Sequence, residues 1–260
     1  MNPWIPFLTL IHREIKRFIK VIIQTVVSPI ISSSLYLLIF GVSLGAKMNP
    51  QNEMPYIAFL IPGLMVMGLI NNSFQNSSSS VVNAKFSGDL EDLRVAPITN
   101  NQIIWAMGVG GIIRGATVAI ITGLVGFIFQ YLTTSTVMTI HHPFLFLLFL
   151  ILGGLIFSFC GIFVAFLAKT FDQLSAFSTF ILLPLTYLGG VFMSIEGLHP
   201  FWQKMCHLNP VFYLINGFRY SVVGVTDIEI WPILLVNCGA LVVSFFMAKY
   251  SLTRGSFSRW

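Results

Sequence analysis

GGVFMSIEGLHPFWQKMCHLNP, Gly189 to Pro210, interrupts an otherwise apolar chain with a Gly pair, two prolines, a Glu and a Lys. The chain then turns apolar again over VFYLINGFRYSVVGV, Val211 to Val225. Whether that second stretch crosses the bilayer decides the fold. It is about fifteen residues long, short of the roughly 20 that a spanning helix needs. It also holds Asn216, Gly217 and Arg219. We therefore read it as entering from the outer face and staying there, which irregular backbone does only under cover of protein or a wet cavity. His199 before Pro200 and Asn209 before Pro210 each read as an N-cap followed by proline at the first helical position. The spacing predicts two short helices, Pro200–Leu208 and Pro210–Val223, with Gly224 as the stop.

Charge supports the same choice. Of 260 residues, 56% are hydrophobic and only 9% charged, against roughly 25% charged in a soluble domain. This composition marks an integral membrane protein, read here as one domain over residues 1–260. The fold class expected is all-α, with six spans at about Val21–Leu44, Tyr56–Val82, Ile103–Leu132, Pro143–Ala168, Leu174–Phe192 and Trp231–Met247. Six spans put both termini on one side. Arg13, Lys16, Arg17, Lys20, Lys85, Arg94, Arg114, Lys169, Lys249, Arg254 and Arg259 then fall at the inner face, and only Lys47, Lys204 and Arg219 outside. Eleven against three satisfies the positive-inside rule with cytoplasmic termini. A seventh span would move the basic tail outside. Because the basic residues cluster at the ends of apolar segments, the net charge of +5 reads as topology and not as a nucleic-acid surface. Cys160, Cys206 and Cys238 are odd in number and widely spaced, which suggests neither a disulfide framework nor a closed metal site.

Three segments stand out as functional candidates. FLTLIHREIKRFIKVII, at the N-terminus, sets Leu8, Ile11, Ile15, Phe18 and Ile22 on one helical face and Thr9, Arg13, Lys16, Arg17 and Lys20 on the other. This is a basic amphipathic helix of the inner headgroup layer, serving as topology anchor or as grip for a cytoplasmic partner. The second span ends in NNSFQNSSSSVVN, where Asn72, Gln75, Asn76, Ser79 and Asn83 form one polar stripe. Such a stripe faces other helices as hydrogen-bonding glue, or lines a translocation path. Between spans two and three, Asp89, Glu91 and Asp92 crowd the first turn of a short helix, Arg94 lies near its end and Pro97 stops it. Thr99 and Gln102 form a capping box for the next helix. Leu90 and Leu93 read as apolar knobs for docking a soluble partner; the alternative is an ordinary solvated loop.

Catalytic signals are thin. Glu196, His199, Lys204 and His207 are neighbours in sequence but match no acid/base or zinc spacing, and His141 and His142 read as an interface. No G-x-x-x-x-G-K-[ST] phosphate loop occurs in the sequence. If ATP drives this protein, another chain binds it.

LPLTYLGGVFMSIEGLHPFWQKMCHLNPVFYLINGFRY, Leu183 to Tyr220, closely resembles the signature region of ABC-2 type transporter permeases, most of all their YadH-like branch. GDLEDLRVAPIT resembles that family's segment between spans two and three, and the six-span layout covers essentially the whole chain. The resemblance implies a bacterial inner-membrane exporter subunit, not itself an enzyme, that dimerises and pairs with two copies of an ATPase chain. ATP and Mg are then bound by that partner and no cofactor by this chain. It implies an ATPase-coupling helix at Asp89, Leu90, Glu91, Asp92, Leu93 and Arg94. It further implies re-entrant helices at an outer gate, with Gly189, Gly190, Glu196, Pro200, Asn209, Pro210, Asn216 and Arg219 as the matched and mostly structural positions. The substrate classes implied are amphipathic, lipid-linked, glycan or drug-like. Rivals are an ion-coupled secondary transporter, which the near absence of ionisable residues in the spans apart from Arg114 disfavours, and a non-transporting scaffold.

Overall fold

The computed structural model of the protein describes residues 4–44, 55–168 and 170–254. Lys47, Lys169 and Arg259 lie outside the described residues, as do the side chains of Glu91, Arg94 and Glu196. Every regular element among the described residues is helical. In chain order these are α1 (Trp4–Lys20), α2 (Ile22–Tyr36) continued by a π-helical stretch Leu37–Leu44, α3 (Tyr56–Ser87), α4 (Asp89–Val95) and α5 (Asn100–Thr134). They are followed by α6 (Pro143–Leu167), α7 (Phe171–Phe177), α8 (Leu183–Leu188), α9 (Pro200–His207), α10 (Pro210–Val223) and α11 (Ile230–Arg254).

Five of these are long and apolar enough to cross a membrane: Ile22–Ser43, α3, α5, α6 and α11. The predicted span Leu174–Phe192 takes a different form. Its helical backbone begins earlier, at Phe171, and ends at Leu188, and it is divided into α7, a π-helical turn Ser178–Leu182, and α8. Pro184 has no N–H to donate back to Phe180, and the chain widens by one residue per turn just before it.

Local chemistry explains the other boundaries. α5 starts with the expected capping box: the Gln102 N–H donates to Thr99 Oγ1 at 3.3 Å and the Thr99 N–H to Gln102 Oε1 at 2.9 Å. α9 and α10 each open on a proline, with the Phe201 N–H donating to His199 Nδ1 and the Val211 N–H to Asn209 Oδ1. Gly224 closes α10 at φ +82°, a left-handed backbone that glycine adopts without strain.

α3 is the central post. It packs along α5, α6 and α10 and, like α6, is mostly buried, whereas α2 and α11 leave most of their apolar surface uncovered. The α3–α5 contact is a ladder of small residues. Ser73 Oγ donates to the Gly111 carbonyl and Ser77 Oγ to that of Met107. A Cβ on Gly115 would collide with Ser73 Oγ and come within 2.9 Å of the Leu69 carbonyl. Gly123 and Gly126 take Met65 and Ile61 in the same way. Small residues four apart let the two backbones approach closely, as membrane helices do in the absence of a hydrophobic drive between them.

Candidate functional site where α1 meets α3 and α5

α1 meets the C-terminal half of α3 and the N-terminal half of α5 through a buried carboxylate that the helical-face reading does not single out. Leu10, Glu14 and Phe18 face inward, and Glu14 is 0% exposed. Of the apolar face set by periodicity, Phe18 packs into the bundle whereas Leu8 and Ile22 stay exposed. The face turned to the bundle is Leu10, Glu14 and Phe18, because a polar stripe on α3 offers Glu14 hydrogen-bond partners. Glu14 Oε1 accepts from Ser80 Oγ at 2.7 Å, and Oε2 from Arg17 Nη2 at 2.9 Å. Arg13 Nη2 lies 3.5 Å from Oε1. Arg17 also donates to the Asn76 carbonyl at 2.7 Å and to Ser79 Oγ at 2.9 Å. Gly110 makes the room: a Cβ there would stand 2.8 Å from Glu14 Cβ. Charge-assisted bonds of this kind hold an interfacial helix to a spanning one.

The predicted polar stripe divides between two tasks. Gln75 and Ser79 bind across helices through their side chains, Gln75 Oε1 accepting from Arg114 Nη2 at 3.1 Å, and Asn76 only through its backbone carbonyl. Asn72 turns back on its own helix, donating to the Gly68 carbonyl at 3.1 Å. It lines a cleft of about 180 Å³ between α2, α3 and α5 with Ser28, Ser32, Tyr36 and Asn71. The stripe is therefore glue at Gln75 and Ser79 and open polar surface at Asn72.

At the α3–α4 corner, Gly88 at φ +84° both ends α3 and begins α4. Leu90 is 1% exposed and Leu93 is half-buried against the core. Leu90 anchors α4 and is not free as a docking knob, while Leu93 packs against the core and keeps part of its surface exposed: an apolar side chain beside a hydrophobic core packs into it first. Asp89 and Asp92 are exposed, and Val95 is 88% exposed. Between α1 and this corner runs a groove of about 730 Å³ lined by Arg13, Lys16, Lys20, Asn83, Phe86 and Asp89 among others. Lys85, counted at first only as a topology charge, is buried: Nζ donates to the Ala165 carbonyl at 2.9 Å and lies 4.8 Å from the centre of the Phe166 ring. A lysine at the last carbonyls of α6 also complements that helix's dipole.

The described signature residues are brought together around α10. Asn209 Nδ2 donates to the Leu185 carbonyl at 2.6 Å, and Arg219 Nη2 to the Gly190 carbonyl at 2.8 Å. The Arg219 guanidinium also lies 3.7 Å over the Phe59 ring. Gly189 lets Ile215 and Val211 approach, and Gly190 takes φ +84°. Pro200 and Pro210 begin their helices, and Asn216 Nδ2 donates to the Phe212 carbonyl. His142 N–H donates to the Ser221 carbonyl at 2.9 Å, and its ring stacks on Tyr220. These contacts tie α10 to α8, α3 and the start of α6. Sequence reasoning misses the buried Glu14 and Lys85 and the α5 glycine ladder; a lone carboxylate within the basic stretch HREIKR, and glycines at 111, 115 and 123, spaced by four and eight, are the available signals.

Comparison with known proteins adds the family. The family model for ABC-2 type transporters matches residues 6–223. The chain is 38% identical over 252 residues to the inner membrane transport permease YadH of Escherichia coli (strain K12), covering 96% of this chain and 94% of that relative. It is 24% identical over 237 residues to nodulation protein J of Azorhizobium caulinodans, covering 88% and 89%, and 23% identical over 256 residues to nodulation protein J of Sinorhizobium fredii, covering 97% and 94%.

Proposed function

The chain belongs to the ABC-2 type transporter family and is a multi-pass inner-membrane permease, and from that premise we propose that it forms the membrane path of an ATP-driven exporter. Two copies of this chain enclose the path, and two copies of a separate ATPase chain bind ATP and Mg. Closure of the ATPase pair pushes on α4, and α3 carries that movement into the bundle, opening the path outward to an amphipathic, lipid-linked, glycan or drug-like substrate. The spans number six, with α7 to α8 as the fifth, both termini are cytoplasmic, and α9 and α10 form a re-entrant pair at the outer gate.

The observation that carries the reading is the α3–α4 corner. Leu90 fixes a short helix at the end of the central post while Asp89, Asp92 and Val95 remain exposed for a partner. The test is co-expression with an ABC ATPase encoded beside it, followed by mild-detergent purification. Co-elution and vanadate-sensitive ATP hydrolysis absent from either chain alone are expected. Val95→Asp and Asp92→Lys should abolish co-elution while changing permease stability by no more than about 0.5 kcal/mol, as exposed substitutions do. Undiminished co-elution of both variants overturns the docking assignment.

A further inference from the structure

The helical run Phe171–Leu188 is held by two different neighbours. Its first part, α7, is fastened to α3. The Phe171 and Phe86 rings stack at 5.2 Å with 8° between their planes, and the Phe177 and Phe74 rings at 5.4 Å with 10°. Phe171 and Phe177 are the first and last residues of α7, so both of its ends are pinned to the C-terminal half of α3. Leu174, between them, is buried in the core. The last part, α8, is fastened to α10 instead. The Leu185 carbonyl accepts from Asn209 Nδ2 at 2.6 Å, and a Cβ on Gly189, just after α8, would stand 2.8 Å from Ile215 and 3.0 Å from Val211. Beyond it, the Gly190 carbonyl accepts from Arg219, and that of Phe192 from Tyr56 at the N-terminal end of α3.

Between the two parts the backbone is built to bend. The Leu183 N–H donates to the Ser178 carbonyl, five residues back instead of four, and Pro184 has no N–H to offer the carbonyl of Phe180. A widened turn next to a proline is where helices kink. Phe180 is 77% and Ile181 43% exposed, so few contacts resist a change of angle there. Phe86 stands about 45 Å along α3 from Tyr56. A tilt of α3 that leaves Tyr56 in place therefore carries α7 with it and leaves α8 behind. We propose that the Ser178–Leu182 turn is a hinge and α7 a swinging gate: α7 follows the C-terminal half of α3 through the two phenylalanine pairs, while α8 stays with α10. As a gate on the path, α7 rests on the permease reading; the hinge rests on these contacts alone.

The test is hydrogen–deuterium exchange of the full-length permease in detergent, read by mass spectrometry on peptides covering α7 with the turn and, separately, α8. Phe86→Ala removes a half-exposed ring from α3. It should speed exchange in α7 and the turn by about threefold or more, the worth of one ring pair, and leave α8 unchanged. Phe86→Tyr keeps the ring and should restore the parent rates. Asn209→Ser keeps a cap for the Val211 N–H but loses the donor to Leu185. It should give the reverse pattern, fast in α8 and unchanged in α7. Equal acceleration of both parts by either variant means one rigid span and overturns the hinge, as does an unchanged α7 in Phe86→Ala. Should Asn209→Ser fail to fold, the two Phe86 variants decide alone. In the complex with the ATPase, vanadate trapping should alter exchange in α7 and the turn and not in α8; an unchanged or uniformly changed span overturns the gate. If no ATPase co-elutes, the permease reading fails, and exchange in the permease alone still decides the hinge.

Discussion

Glu14 accepts hydrogen bonds from Ser80 and Arg17 while fully removed from water, so that deleting either end of the ion pair leaves a charge with nothing to balance it. Glu14→Ala is expected to destabilise the chain by about 3–5 kcal/mol, read as a lowered thermal midpoint in detergent. The double variant Glu14→Ala with Arg17→Ala should lose less than the sum of the two single losses, by at least about 0.5 kcal/mol, since the pair is one unit. Leu90→Ala should cost about 2–4 kcal/mol in the same assay, as the removal of a buried side chain does, in contrast to the near-silent Val95→Asp. Residue-level roles of this kind were hard to read in the sequence. The wheel of α1 was drawn by hydrophobicity alone, and Glu14's partner Ser80 lies 66 residues away. Leu90 looked available because its neighbours Asp89 and Asp92 are charged and exposed; burial was decided by the core beneath α4, which no local pattern describes.

Elements bounded by backbone chemistry were far more legible. α9 and α10 begin where His199–Pro200 and Asn209–Pro210 said they would, and α5 begins at the Thr99–Gln102 box, because caps and prolines act over three or four residues that sequence places side by side. The division of the Phe171–Leu188 stretch was not legible, since a π-turn before Pro184 leaves hydropathy unchanged. The α3–α5 ladder makes its own prediction. Gly115→Leu forces a side chain against Ser73 and the Leu69 carbonyl and should destabilise the bundle by about 2–3 kcal/mol through overpacking. Gly239, whose Cβ direction is open, should accept alanine with no such loss; paired thermal unfolding of Gly239→Ala and Gly115→Leu checks both.

Across the whole molecule, the distribution of basic residues and the lengths of the apolar runs were enough to identify a helical membrane protein and the short helices of its 200–223 region. They were not enough to say which helices form the centre, because α3 and α5 are no more hydrophobic than α11; what distinguishes them is glycine and serine at the positions where backbones meet. The six-span arrangement is checked by fusion reporters. Alkaline phosphatase joined in the Ser135–His142 connection should be active, and joined after Arg254 inactive, with a fluorescent protein giving the opposite pattern. Active phosphatase at both positions is the outcome that an odd number of spans would give.

Gly88 belongs to two helices at once, ending α3 and starting α4 with no residue between them to spare. Leu90 clamps the short arm and Lys85 bolts the end of the long one to the terminus of α6. In mechanical terms this is a crank without backlash: a stroke applied to α4 is not absorbed by loose chain before α3 and α6 feel it, and lengthening the joint by a single inserted glycine would let the handle turn while the shaft stood still.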